Sequence, residues 1–122
     1  MPEAIHTGAA PPAAGPYSQA IRTGRLVFLA GQGPFDPATG AIPEAIEDQV
    51  RQTLENLAAV AEAAGTSLAN AVRVGVYLRS MDDFAAMNRV YPEFFSEPYP
   101  ARTTIQSDMN IPVEVDAVLE LP

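Results

Sequence analysis

The chain has 122 residues, 48% of them hydrophobic, which suits the core of one domain and argues against global disorder. With 15 acidic against 7 basic side chains the net charge is −8 and the pI about 4.4, a field that disfavours nucleic acid and anionic membrane surfaces as partners. No cysteine is present, so a disulfide framework and a thiolate nucleophile are both excluded.

Residues 1–14 are rich in Ala and Pro, and Pro11-Pro12 forbids helix, so an extended arm is expected, frayed or laid along the body. This segment lacks the basic and continuous apolar regions of a signal peptide. No run approaches the ~18–20 apolar residues of a membrane span. A soluble, cytoplasmic protein is expected. "YSQAIR" and "RLVFLAG" then read as a β-hairpin turning at Thr23-Gly24. "GQGPFDPATGAIPE" is a loop dense in Gly and Pro.

A first helix is predicted from about Ala45 to Ala64. Ile46, Val50, Leu54, Leu57, Val60 and Ala64 fall on one face, acids load its first turn, and Gly65 stands at the C-terminal cap. "AVRVGVYL" alternates as a strand, with Val72, Val74, Val76 and Leu78 on one face. A second helix starts near Asp82 or Asp83, capped by Ser80 or Asp82, and turns Phe84, Met87, Tyr91 and Phe94 or Phe95 inward. Pro92 removes a donor to the carbonyl of Asn88 and should kink or restart that helix. The last strands are Arg102–Ser107 and Val113–Leu121. The order β-β-α-β-α-β-β predicts one α+β domain over 1–122, a sheet covered by two helices. Strand faces that are apolar on both sides imply burial against other subunits.

The final two strands carry the candidate chemistry. Arg102, Thr104 and Gln106 share one side, and Glu114 and Asp116 point away from the core. Paired as a hairpin turning near Asp108, these strands would set Arg102 opposite Glu114 on one face, about 5 Å apart at Cβ. Two readings follow. One is an exposed cross-strand ion pair worth about 0.2–1 kcal/mol. The other is a fork that grips a carboxylate bidentately beside an acid that orients water. Periodicity does not choose between them.

Other candidates are weaker. His6, the one histidine, lies in the arm, so a Ser-His-Asp triad would need the arm to fold into a site. Asp82-Asp83 reads as a helix start rather than a metal site. Gly31-Gln32-Gly33 has neither the glycine spacing nor the lysine of a phosphate loop.

Six segments in order, "GPYSQA" (15–20), "AGQGPFDPATG" (30–40), "QVRQTLENLAAVAEAAG" (49–65), "DDFAAMNRVYPEFF" (82–95), "PART" (100–103) and "VEVDA" (113–117), resemble the Rid (YjgF/YER057c/UK114) family of imine and enamine deaminases. The resemblance implies a chorismate-mutase-like α+β fold, assembled as a homotrimer with clefts between subunits. It implies hydrolysis of 2-aminoacrylate-type enamines and their imines to 2-keto acids and ammonia, with no cofactor and no metal. By resemblance Arg102 holds the substrate carboxylate and Glu114 positions or activates water. Tyr17, the Gly31 backbone, Asn88 and Thr104 match further substrate-binding positions. Two departures touch the cleft: Ala30 stands where the family usually has Ser, and the 107–112 loop looks about three residues short. Rival readings are a non-catalytic trimer that senses small carboxylates or keto acids, and a chaperone-like interaction trimer. The ribonuclease label sometimes given to the family is disfavoured by the charge and the lone histidine.

Overall fold

The computed structural model describes residues 1–122. Six strands form one mixed sheet in the order β1-β2-β3-β6-β4-β5, with two helices packed on one face. The strands are β1 (Glu3–Ile5), β2 (Ala20–Thr23), β3 (Leu26–Gln32), β4 (Ala71–Leu78), β5 (Ala101–Gln106) and β6 (Val113–Glu120); the helices are α1 (Ile46–Ala63) and α2 (Phe84–Val90). The β2–β3 hairpin turns where expected. Gly24 has φ +57°, a left-handed conformation that costs glycine little.

Helix α1 follows its apolar spacing. Val50, Leu54, Leu57 and Val60 are at most 1% exposed against the sheet, and full burial of such a side chain is worth about 1.5–3 kcal/mol. Gly65, at φ +88°, ends the helix; the Thr66 N–H returns to the Ala61 carbonyl at 3.1 Å. Pro92 acts as expected on α2. The α-helix stops at Val90, and a 3₁₀ turn over Tyr91–Glu93 replaces its continuation. Glu93 accepts from both Nε (2.8 Å) and Nη2 (2.7 Å) of Arg51, which ties that turn to α1. At the front of α2, Ser80 accepts from the Asp82 N–H at 3.1 Å, so Asp82 and Asp83 lie in a short 3₁₀ turn.

Three expectations need correction. The arm is extended and laid along the body, but its Glu3–Ile5 pairs with β2 as an additional edge strand, so the order is β-β-β-α-β-α-β-β rather than β-β-α-β-α-β-β. Val72 does not join the core face. One extra residue between Ala71 and Arg73 bulges β4 against β6 and leaves Val72 43% exposed.

The third correction is the largest: β5 and β6 do not form a hairpin. Strand β4 lies between them, antiparallel to β6 and parallel to β5, because the chain between β4 and β5 crosses over through α2. Arg102 is level with Val74 and Glu114 with Tyr77. Val74 points into the core and Tyr77 to the uncovered face, so Arg102 and Glu114 leave the sheet on opposite sides.

That uncovered face is not polar. Leu26, Phe28 and Ile105 are 37%, 44% and 46% exposed on it. Ile105 is level with Tyr77 and Phe28 lines a shallow cavity with it; the Tyr77 hydroxyl donates to Asp116 at 2.9 Å.

Candidate functional site

The sequence-predicted site residues fall into two groups, one on each side of the sheet. Tyr17, Gly31 and Glu114 line a cavity of about 190 Å³ together with Pro11–Ala14, Phe35 and Ile111. Asn88 and Arg102 line another of about 270 Å³ with Tyr91, Pro92, Tyr99 and Pro100. No residue is shared between them. Arg102 and Glu114 stand two strand spacings apart, about 10 Å, and three residues out of register, about another 10 Å. No ion pair joins them: the salt bridges of the chain are Arg22–Glu3, Arg51–Asp48, Arg51–Glu93 and Arg89–Glu47. The cross-strand ion-pair reading is therefore overturned.

In the Glu114 cavity, the side chain of Glu114 lies directly over the Gly31 backbone. A β-carbon added at Gly31 would stand 2.7 Å from Cδ of Glu114 and still closer to its Oε2. The bare Gly31 backbone admits the Glu114 side chain by close approach, not through an unusual φ. Burial, and then the nearby charge of Asp116, push the Glu114 carboxyl above the usual glutamate range. The hydroxyl of Tyr17 accepts from the Ala14 N–H at 3.1 Å. The loop after Gly31 is held from behind by buried Asn56 of α1, whose Nδ2 donates to the carbonyls of Gly33 (3.0 Å) and Phe35 (2.8 Å). Ile111 brings the short 107–112 loop into the same cavity. Ala30, in place of a serine, adds no side-chain hydrogen bond there.

The Arg102 cavity sits between β5 and the end of α2. The guanidinium carbon lies 4.7 Å from the Tyr91 ring centroid and 5.8 Å from that of Phe84, and Nη1 is 3.7 Å from Sδ of Met87. Aromatic faces stabilise a cation without neutralising it, so these contacts orient the fork and leave its donors for an anion. Thr104, two residues along the same strand face, has a shielded hydroxyl with no hydrogen-bond partner, as has Tyr91. Burial raises the Tyr91 phenol while the Arg102 charge opposes that rise.

The structure brings Asn88 and Arg102 to one place and Tyr17, Gly31 and Glu114 to another, where sequence reasoning had set Arg102 opposite Glu114 on one face. That reasoning did not anticipate that the two places are separate. It also missed Tyr91, Phe84 and Met87 as the setting of Arg102; their helical spacing reads as core packing, which it also is. Asn56 gave no signal, since a single amide inside an amphipathic helix reads as surface. His6 is exposed beyond β1 and does not line the Glu114 cavity. No group of three or more His, Asp or Glu side chains is arranged to hold a metal, and no helix is long and apolar enough to cross a membrane.

A family model described as Endoribonuclease L-PSP matches residues 7–120. RutC family protein PH0854 of Pyrococcus horikoshii is 48% identical over 122 residues, 97% of each chain. TdcF of Escherichia coli, a candidate reactive intermediate deaminase, is 40% identical over 126 residues, 97% of this chain and 98% of TdcF. A crystal structure of E. coli TdcF with bound serine superposes at a TM-score of 0.92, with 35% identity over 98% of this chain and 99% of that one. RidA of the Antarctic bacterium Psychrobacter sp. PAMC 21119 superposes at 0.93, with 40% identity over 98% and 99%.

Proposed function

The chain belongs to the Rid (YjgF/YER057c/UK114) family, and from that membership we propose that it is a reactive-intermediate deaminase whose site forms between two copies. The observation that carries this reading is the Arg102 guanidinium. It is oriented by two aromatic rings, opens on a cavity, and has no carboxylate partner in its own chain. A cation so placed suits the carboxylate of a small ligand. TdcF with bound serine is a relative holding such a carboxylate beside a nitrogen.

The proposed reaction is hydrolysis of a 2-imino acid. Water adds to the carbon of the protonated imine, CH₃–C(=NH₂⁺)–COO⁻, and the C–N bond then breaks to give CH₃–CO–COO⁻ and NH₄⁺. Arg102 grips the carboxylate through two parallel N–H donors, and Thr104 and Asn88 flank it. Glu114 accepts one proton of the attacking water and returns it to the departing nitrogen; the hydroxyl proton of the adduct is released as the C=O forms and ends on the ammonia as NH₄⁺. A carboxyl raised by burial is a stronger base than an ordinary glutamate, which helps at neutral pH. Positioned acid–base help of this kind is worth about 10²–10⁴-fold, enough for a substrate that already hydrolyses in water.

Glu114 and Arg102 would act together only if one copy offers its Arg102 cavity to the Glu114 cavity of the next. The apolar uncovered face, with Leu26, Phe28 and Ile105, supplies a surface for that contact. Contact between two unlike patches, repeated, forms a ring where the rotation closes, and the resemblance to the Rid family implies three copies. RNA cleavage, which the family model's description would suggest, suits the chain less well: a net charge of −8 repels a polyphosphate.

The test generates 2-iminopropionate with an amino-acid oxidase and times pyruvate release with and without the protein. Release faster than the spontaneous rate is expected. Identical time courses would remove the enzyme reading and leave a binder of small carboxylates.

A further inference from the structure

Gln19 is 3% exposed, and its side chain is committed to the N-terminal arm. Its Oε1 accepts from the Thr7 N–H at 2.7 Å, and its Nε2 donates to the carbonyls of Thr7 (3.1 Å) and Pro11 (2.8 Å). Both amide hydrogens are thereby used. Its backbone carbonyl accepts from the Ala30 N–H at 3.0 Å, one residue before Gly31. One residue therefore joins the arm to the strand that carries Glu114's neighbour.

The arm is part of the cavity. Pro11, Pro12, Ala13 and Ala14 form one wall of it. Ala14 N–H, at the end of that wall, donates to Tyr17 Oη, which occupies one lone pair and leaves the hydroxyl proton free to donate elsewhere. Apart from the Gln19 bonds, the arm is anchored by three-residue β1, by the exposed Glu3–Arg22 ion pair, by the Ala14–Tyr17 bond and by buried Ala10. A segment with so few bonds of its own opens easily unless something clamps it.

We propose that Gln19 is a positioning residue of the Glu114 cavity, acting through the arm to set where the Tyr17 hydroxyl stands. The kinetic side of this proposal rests on the deaminase reading; the structural side does not. The experiment therefore reads both in the full-length chain, on Gln19→Leu, Tyr17→Phe and the double variant. Amide hydrogen exchange at Thr7 and Ala14 should be protected in the wild type and fast in Gln19→Leu, with Leu54 and Leu57 unchanged in the core. Gln19→Leu should lower kcat/KM for 2-iminopropionate roughly ten- to hundredfold, as a small displacement of a site group does. Added to Tyr17→Phe it should cost nothing further, because both act on one hydroxyl. Unchanged exchange at Thr7 and Ala14, or kinetic losses that multiply, would overturn the proposal. A wild type inactive on imines would overturn the deaminase reading alone, and the exchange data would still decide the role of Gln19. Should Gln19→Leu not fold, Gln19→Glu keeps the acceptor for Thr7 and loses both donors, and it carries the same readouts.

Discussion

Arg102 is level with Val74 and Glu114 with Tyr77 on the two sides of β4, so the cation and the acid leave the sheet by opposite faces. Within one chain they are neither an ion pair nor a shared site. Each sits in its own cavity with its own supports: aromatic rings for Arg102, the bare Gly31 backbone for Glu114.

A site divided in this way can be rebuilt from two broken halves. Arg102→Ala and Glu114→Gln should each be inactive alone. Mixed after co-expression, some contacts pair an intact arginine with an intact glutamate. Random assortment in a ring makes that fraction about a quarter, so about a quarter of the wild-type rate should return. A mixture with no activity would mean that each chain must supply both groups.

The uncovered sheet face should hold the assembly together. Sedimentation of the wild type should report about three times the 12.9 kDa chain mass. Phe28→Asp places a charge on the exposed apolar face without touching either cavity wall. It should yield folded monomers that turn over no imine. A stable wild-type monomer would end the composite-site reading.

Gly31→Ala separates backbone freedom from close approach. Its β-carbon would collide with the Glu114 carboxyl, which can only swing away. The expected result is a folded chain with turnover reduced roughly a hundredfold, since a 1 Å displacement of a reacting group has that scale of effect. Wild-type kinetics in Gly31→Ala would show that Glu114 is not held where the chemistry occurs.

The pH dependence follows from Glu114. Burial and the charge of Asp116 both raise its carboxyl, so the group is more easily protonated in the fold than in the unfolded chain. The acid limb of kcat/KM reports this group, because the protonated form cannot act as base. Asp116→Asn removes one of the two causes, keeps an acceptor for the Tyr77 hydroxyl, and should move the limb to lower pH. For stability the sign is opposite to that of a salt-bridged acid. The neutral form is favoured in the fold, so stability is lost as pH rises through the folded pKa. Glu114→Gln should therefore melt above the wild type at pH 8, with the difference closing in acid. A limb that moves upward in Asp116→Asn would contradict the assignment.

Local rules served well where one strong signal dominated. The α1 stripe, Gly24, Gly65 and Pro92 each act through covalent or steric facts that neighbours do not override. The pairing of β5 with β6 did not follow, because alternation gives faces but not partners, and a crossover through α2 puts β4 between them. Strand β5 also misleads by its own pattern. Its helix-side residues are Arg102, Thr104 and Gln106, while apolar Ile105 faces out. A polar row turned inward at a sheet edge is the mark of a site rather than of a core, and it becomes legible only once the register is known. Val72 failed for a similar reason, since a bulge shifts the phase of the alternation.

The sharpest prediction concerns Arg102 itself. With no carboxylate partner in the chain, its removal costs the fold only aromatic and Met87 contacts, about 1 kcal/mol at a half-buried position. Its removal costs the reaction far more. Losing a bidentate, charged contact to the substrate should lower transition-state binding by about 2–4 kcal/mol, or roughly 30- to 1000-fold in kcat/KM. Arg102→Lys should fail almost as badly, because an ammonium keeps the charge but neither the fork nor the stacking on Tyr91. Thermal melting and imine turnover on the same preparations separate the two effects. Arg102→Ala should retain the wild-type sedimentation profile and a melting temperature within a few degrees. Equal hydrolysis rates for wild type and Arg102→Ala would sink the deaminase reading, and a large loss of melting temperature at unchanged rate would make Arg102 a structural cation after all.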